Sequence, residues 1–296
     1  MDFPAPVAPA FQNPAFCRYG PELPENPVII SVPHAGRQYP ASVLSHARVG
    51  REVLERLEDR LADMLVHRLM EGGHSVFVAK KARAVIDLNR SDNEIDPGMI
   101  ANAPPHPGFF ASAKVRGGLG LIPRRLSTYG DLWNGPFEWP DVKQRIMEYH
   151  QPYHLALGDS LRMARQRFGC AILLDIHSMP PLTGQGGLPS AKIVLGDRFG
   201  RSASGRLTDA AAHIFAARGL KVAQNHPYPG NYLLERHGRP SFNVHAIQCE
   251  IDRSLYLDGA FRWPSAGLAR LQGVLLDVAA SLAGELPEGD FAQAAE

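Results

Sequence analysis

Three short apolar runs, set apart by helix-forming stretches, constrain the fold of this chain more than any other feature. They are VIISV at 28–32, AILLDIH at 171–177 and AIQCEID at 246–252. Each is too short for a buried helix and is bounded by turn residues or a change of pattern, so each reads as a buried strand. The stretch GREVLERLEDRLADMLVHRLMEGG at 50–73 carries Leu and Val at helical spacing and closes on Gly72 and Gly73, which predicts one amphipathic helix. Residues 141–169 are helical in pattern, with Pro152 marking a kink or a break. Residues 205–219 and 264–284 supply two more helices. Strands alternating with helices predict an α/β fold, a three-layer α/β/α sandwich around a mostly parallel mixed sheet.

A chain of 296 residues makes one large domain or two modest ones, and 45% hydrophobic residues suffice for a sizeable core. No polar linker divides it, so one domain is expected over 27–285. The Pro-rich residues 1–26 read as an extended arm and the acidic, Ala-rich residues 286–296 as a frayed tail. Residues 97–140, dominated by Pro, Gly and aromatic residues, read as a long irregular excursion. A net charge of +1 argues against a nucleic-acid surface. Cys17, Cys170 and Cys249 are odd in number and form no C-x-x-C, which fits a reducing compartment. The first residues lack a basic start followed by an apolar stretch, so no secretory signal is expected, and no run of about eighteen apolar residues occurs. A cytoplasmic protein without membrane contact is expected, as a monomer or small homo-oligomer.

Ligands of open α/β sheets bind outside the carboxyl ends of the strands. Four chemically loaded segments fall there: PHAG after the first strand, DLNR after the third, DIH in the central one and QCEIDR in the last. Singly, each has an ordinary explanation, such as a loop histidine bonded to a carbonyl or an arginine paired with Asp87. Together they argue for a site. Two imidazoles, His34 and His177, suit a zinc ion, which needs a third ligand and an open position for catalysis. Asp175 lies two residues from His177 on the same strand face and can orient its ring. Glu58, Asp59 and Asp63 are the candidates for the third ligand, and position alone leaves them open. Arg83, Asn89 and Arg90 can grip a substrate carboxylate. Glu250, an acid in an apolar strand, is the candidate general base, with Arg253 as a nearby charge and a further substrate contact. His245, five residues before Glu250, falls on the opposite strand face and is a weaker substrate contact. The segment 225–240 is rich in donors, among them Asn225, Tyr232, Arg236 and His237, and reads either as a clamp over the substrate or as a structured hairpin. The chemistry implied is metal-assisted hydrolysis of an acidic small molecule.

The motifs VPHAG, EDRLADML, VIDLNR, YHQPYH, LLDIHSMPP, YPGNYLLERHGRP and HAIQCEIDRSLYLD, in this order from about residue 27 to 258, resemble those of the N-formylglutamate amidohydrolases (deformylases). The resemblance implies a zinc-peptidase-like, phosphorylase/hydrolase-like fold holding one zinc ion. It also implies hydrolysis of N-formyl-L-glutamate, a small acidic N-acyl amino acid, to formate and L-glutamate, at the end of a bacterial histidine-degradation route. Carried onto this chain, it implies His34, Asp59 and His177 as ligands, Glu250 as base, and Asn89 and Arg90 as carboxylate contacts. The wider zinc carboxypeptidase and aspartoacylase relatives have a Glu ligand three residues after the first His, where this chain has Arg37. HSMPP and GNYLL also depart from the better-known members, which leaves room for another N-acyl amino acid or a short peptide as substrate. A non-catalytic protein that captures acidic metabolites is the alternative from another class.

Overall fold

A computed structural model of the protein describes residues 7–102, 108–184 and 190–285. The tail read at 286–296 lies outside these. Eight strands form one mixed sheet: β1 (Phe11–Gln12), β2 (Phe16–Tyr19), β3 (Val28–Val32), β4 (Val76–Ala79), β5 (Ala171–Met179), β6 (Ile193–Gly196), β7 (Val222–Gln224) and β8 (Val244–Asp252). Their spatial order is β1-β2-β4-β3-β5-β8-β6-β7. The central four, β4, β3, β5 and β8, run parallel. On either side of them β2 and β6 pair antiparallel with the block.

Four helices matter to the layers: α1 (Gln151–Phe168), α2 (Gly205–Ala217), α3 (Tyr232–His237) and α4 (Gly267–Gly284). Strand alternation sorts the central residues onto two faces. Ile172, Leu174 and Ile176 of β5, with Ile247, Cys249 and Ile251 of β8, pack against Leu207, Ala211 and Phe215 of α2 and Leu271, Val274 and Val278 of α4. Leu173 and Ala246 face the other way, onto Tyr153, Leu157 and Leu161 of α1 and Leu233 and Leu234 of α3. The expected three-layer α/β/α arrangement is thus present. Gly169, at φ +72°, takes the left-handed conformation that ends α1 and releases the chain into β5.

Several local expectations are corrected. The helix predicted over 50–73 is broken: helical turns cover 51–57 and 62–71, but Glu58 is extended and Leu61 is left-handed at φ +57°. Tertiary partners have taken the backbone groups that a continuous helix would use. Asp59 N–H donates to His34 O at 3.0 Å, Arg253 donates to Glu58 O at 2.6 Å and Tyr256 donates to Arg60 O at 2.7 Å. DLNR does not end a strand; residues 82–90 form a buried irregular segment after β4. At Pro152 the chain does not break, because the helix widens into a π turn at Ile146–His150 and continues as α1. The described part of the N-terminal arm is joined to the sheet edge as β1 and β2, with Phe16 buried. The excursion over 97–140 holds two two-residue strand pairs and a short helix, Ala113–Arg116.

Candidate metal centre and active site

The site face of the sheet changes character partway along its central strands. Ala171 and Leu173 give way to Asp175 and His177 in β5, and Ala246 gives way to Gln248 and Glu250 in β8. Parallel register sets Glu250 beside His177, Gln248 beside Asp175, and Ser31 of β3 on the other side of Asp175. Alternation therefore delivers five polar side chains to one end of one face. His34, two residues beyond β3, and Asp59, from the break in the helical segment, complete the group.

One ligand atom from each of His34, Asp59 and His177 lies within 4.8 Å of the other two, and all three residues are buried. The ring centroids of His34 and His177 are 4.7 Å apart, at 69° to one another. His34 Nε2 is 2.7 Å from Asp87 Oδ1, and His177 Nε2 is 2.8 Å from Asp175 Oδ2. A carboxylate only accepts, so each Nε2 carries the proton and donates it, which turns the Nδ1 atoms toward Asp59. His177 Nδ1 is 3.0 Å and His34 Nδ1 3.5 Å from Asp59 Oδ2. The buried His34 Nδ1 has no hydrogen-bond partner among the described residues. Two imidazole nitrogens and a carboxylate oxygen brought this close together fit a cation, and the outer carboxylates match the pattern that fixes metal-bound histidines.

The charges in the group are mutually sustaining. Burial opposes ionisation of Asp59, yet the hydrogen bond to His177 and the nearby His34 imidazole hold its carboxyl well below the usual range. Burial likewise opposes Asp87, and Arg83, His34 and Arg90 keep it ionised. For His177, burial disfavours the cation, but Asp175, Asp59 and Glu250 raise its affinity for a proton well above that of an ordinary imidazole. Glu250 behaves differently. Burial pushes its carboxyl up to about 7, against the pull of His177, while Asp59 adds to the rise. Its Oε1 accepts from Gln248 Nε2 at 3.0 Å. A carboxyl with that affinity can both take and return a proton near neutral pH.

The other candidates are sorted by their bonds. Glu58 accepts from Tyr39 and pairs with Arg60, and Asp63 holds Arg37 through two bonds of 2.8 and 2.7 Å, so neither faces the histidines. Arg37 is thereby accounted for as a structural partner. Arg83 donates to Asp87 Oδ2 at 2.8 Å and lies within electrostatic reach of Asp59 and Glu250. Asn89 and Arg90 turn inward. Asn89 accepts from Leu233 N–H at 3.0 Å, and Arg90 donates to Leu119 O at 2.8 Å and Asn89 O at 2.6 Å. Arg253 does not pair with Glu250; it donates to Ser178 Oγ, Glu58 O and Asp59 Oδ1, and so aims Asp59 Oδ2 at the imidazoles. His245 is not part of the group. It sits near the start of β8 on the opposite face, where Nδ1 accepts from Ser204 N–H at 3.3 Å. Strand geometry puts five residues of β8, about 17 Å, between it and Glu250.

A sequence model of the N-formylglutamate amidohydrolase family matches residues 26–257. The chain belongs to that family. Two curated members, the N-formylglutamate deformylases of Pseudomonas putida and Pseudomonas aeruginosa, are 28% and 26% identical, each over 78% of this chain and 82% of their own length. The crystal structure of an N-formylglutamate amidohydrolase from Ralstonia eutropha JMP134 superposes with a TM-score of 0.83 at 33% identity, covering 94% of this chain and 98% of that one. A gene product from Agrobacterium tumefaciens shares the fold at 18% identity and a TM-score of 0.66. Within this amidohydrolase, sequence reasoning missed Asp87 and Gln248. Both were findable, Asp87 as the first residue of DLNR and Gln248 by the two-residue period that ends on Glu250.

Proposed function

We propose that this family member is a zinc-dependent amidohydrolase that cleaves N-formyl-L-glutamate to formate and L-glutamate. The observation that carries the reading is the convergence of His34 Nδ1, Asp59 and His177 Nδ1 on one point beside a buried Glu250. His34, Asp59 and His177 would hold the ion, which when bound polarises the formyl carbonyl and makes water a better nucleophile. Asp87 and Asp175 hold the ring protons at Nε2, so both Nδ1 lone pairs stay available to bind the ion. Glu250 removes a proton from the attacking water as the oxygen bonds to the formyl carbon. It then returns the proton to the amide nitrogen as the C–N bond breaks, releasing formate and the amine of glutamate. Arg83, within electrostatic reach of Asp59 and Glu250, neutralises a substrate carboxylate. Asn89 and Arg90 act through their internal bonds, holding the 87–91 segment in place. A role at the end of histidine degradation, in the cytoplasm, follows from this substrate.

Glu250→Gln is the direct test. It keeps the side chain's shape and its contact with Gln248 but cannot accept a proton. The expected result is a fall in kcat of about 10²–10⁴-fold with bound metal retained, measured by formate release and metal analysis. Unchanged turnover would sink the assignment.

A further inference from the structure

A deformylase of this kind meets a substrate with two carboxylates, and the three arginines around the centre spend donors inward on Asp87, on backbone carbonyls and on Asp59. Beside Ser91, just past DLNR, lies a cavity of about 590 Å³ lined by Lys114, Tyr232 and Arg236 among others. Its charge is positive where it counts. Glu94 accepts from Ser112, and Glu235 pairs with Arg198 at 3.0 Å, so both acids on the lining are engaged. The ammonium of Lys114, from the short helix in the 97–140 excursion, makes no hydrogen bond or ion pair among the described residues. It lies within electrostatic reach of Glu250, Asp87, Arg83 and Arg90. Leu233, the residue after Tyr232, donates its N–H to Asn89 Oδ1 at 3.0 Å, and Asn89 Nδ2 lies 3.4 Å from His177 Nε2, which sets this wall of the cavity beside the centre. Arg236 is held upright: Nη1 donates to Tyr232 OH at 2.6 Å, and the guanidinium lies 5.8 Å from that ring's centroid. The Tyr232 ring in turn stacks on His150 at 5.7 Å and 28°.

We infer that this cavity receives the side-chain carboxylate of an N-acyl dicarboxylic amino acid, with Lys114 and Arg236 as the residues that read its charge. The inference rests on the proposed deformylase activity and names the part of the site that selects an acidic substrate. A free ammonium and a pre-positioned guanidinium at the cavity wall favour a carboxylate over its neutral amide, since the amide neither draws the cations nor replaces their water. Both side chains are exposed, so substituting them leaves the core intact.

The test compares kcat/KM for N-formyl-L-glutamate and its neutral isostere N-formyl-L-glutamine, in the metal-loaded enzyme and in the double variant Lys114→Gln/Arg236→Gln. The expected result is a fall of at least tenfold in the preference for the acidic substrate, expressed through KM. A preference unchanged in the double variant overturns the inference, whatever happens to the overall rate. If the unsubstituted enzyme hydrolyses neither compound, the deformylase reading fails, and calorimetric titration with L-glutamate and L-glutamine decides the subsite separately. Tighter binding of glutamate that the double variant abolishes supports it; equal binding of the two overturns it.

Discussion

Asp175 accepts from Ser31 Oγ at 2.8 Å through one oxygen and faces His177 Nε2 through the other, so its ring partner is held in a single orientation and tautomer. An amide in its place can present N–H where the carboxylate presented oxygen, and the imidazole would then be free to adopt the wrong tautomer. Asp175→Asn is therefore expected to weaken metal binding by about 10–100-fold, read by competition with a chromogenic chelator. Asp63→Asn serves as the matched control, because Asp63 bonds Arg37 and faces no ligand. Equal affinities in the two variants would remove Asp175 from the metal's support. At this scale the sequence was informative about type and poor about partner. Alternation alone placed Asp175 with His177 and set His245 apart from Glu250. It was silent on the pairing of His34 with Asp87, which are 53 residues apart in the chain.

Elements were legible where a period persisted and misleading where tertiary bonds interrupted it. The apolar spacing of 50–73 is real, and Leu57, Leu65 and Leu69 are buried as it requires. Periodicity records which side faces the core, however, and not whether each carbonyl and N–H stays in the helical ladder. Residues 58–60 lend theirs to His34, Arg253 and Tyr256, and that break is what lets Asp59 reach the site. The loop carrying His34 is fixed by a comparable closeness. A Cβ on Gly36 would lie 2.1 Å from Lys81 O and 2.5 Å from its carbonyl carbon, both backbone atoms that cannot swing aside. Gly36→Ala must separate the two segments, which are joined by Gln38 N–H to Lys80 O at 3.0 Å. A loss of about 2–3 kcal/mol in urea denaturation is expected. Weaker metal binding should accompany it, because His34 sits two residues away.

Across the whole molecule, three histidines from α1 and its flanking turn and from α3 lie behind the site. His150 and His154 donate through Nε2 to the carbonyls of Arg90 and Leu88 at 2.8 and 2.9 Å, and His154 Nδ1 lies 3.0 Å from His237 Nε2. They clamp the DLNR backbone to the helical layer. Burial lowers their affinity for protons, pushing His237 down to about 3 and His154 well below its ordinary value, with neighbouring cationic groups adding to the effect. The unfolded chain binds these protons near pH 6.5 while the folded one resists them. Their stabilising contribution is thus complete above about pH 6.5 and lost progressively as pH falls toward 3. His237→Gln keeps a donor for His154 but cannot be protonated. Between pH 7 and pH 5 the natural protein should lose about 2 kcal/mol more than this variant in urea denaturation. Parallel losses would show that another group governs the acid limb.

By itself the sequence determined the layer order, the two faces of the central strands, the end of the sheet that carries chemistry, and the residue types gathered there. Those properties follow from short-range periods and from the fixed geometry of strands, which act within a few residues. Tertiary structure alone decided which of Glu58, Asp59 and Asp63 turns toward the imidazoles, and that Asn89 bonds Leu233 N–H, Arg90 bonds Leu119 O and Arg253 bonds Asp59. Each of those outcomes depends on a donor or acceptor supplied from a distant part of the chain, and no local pattern encodes the partner that will arrive.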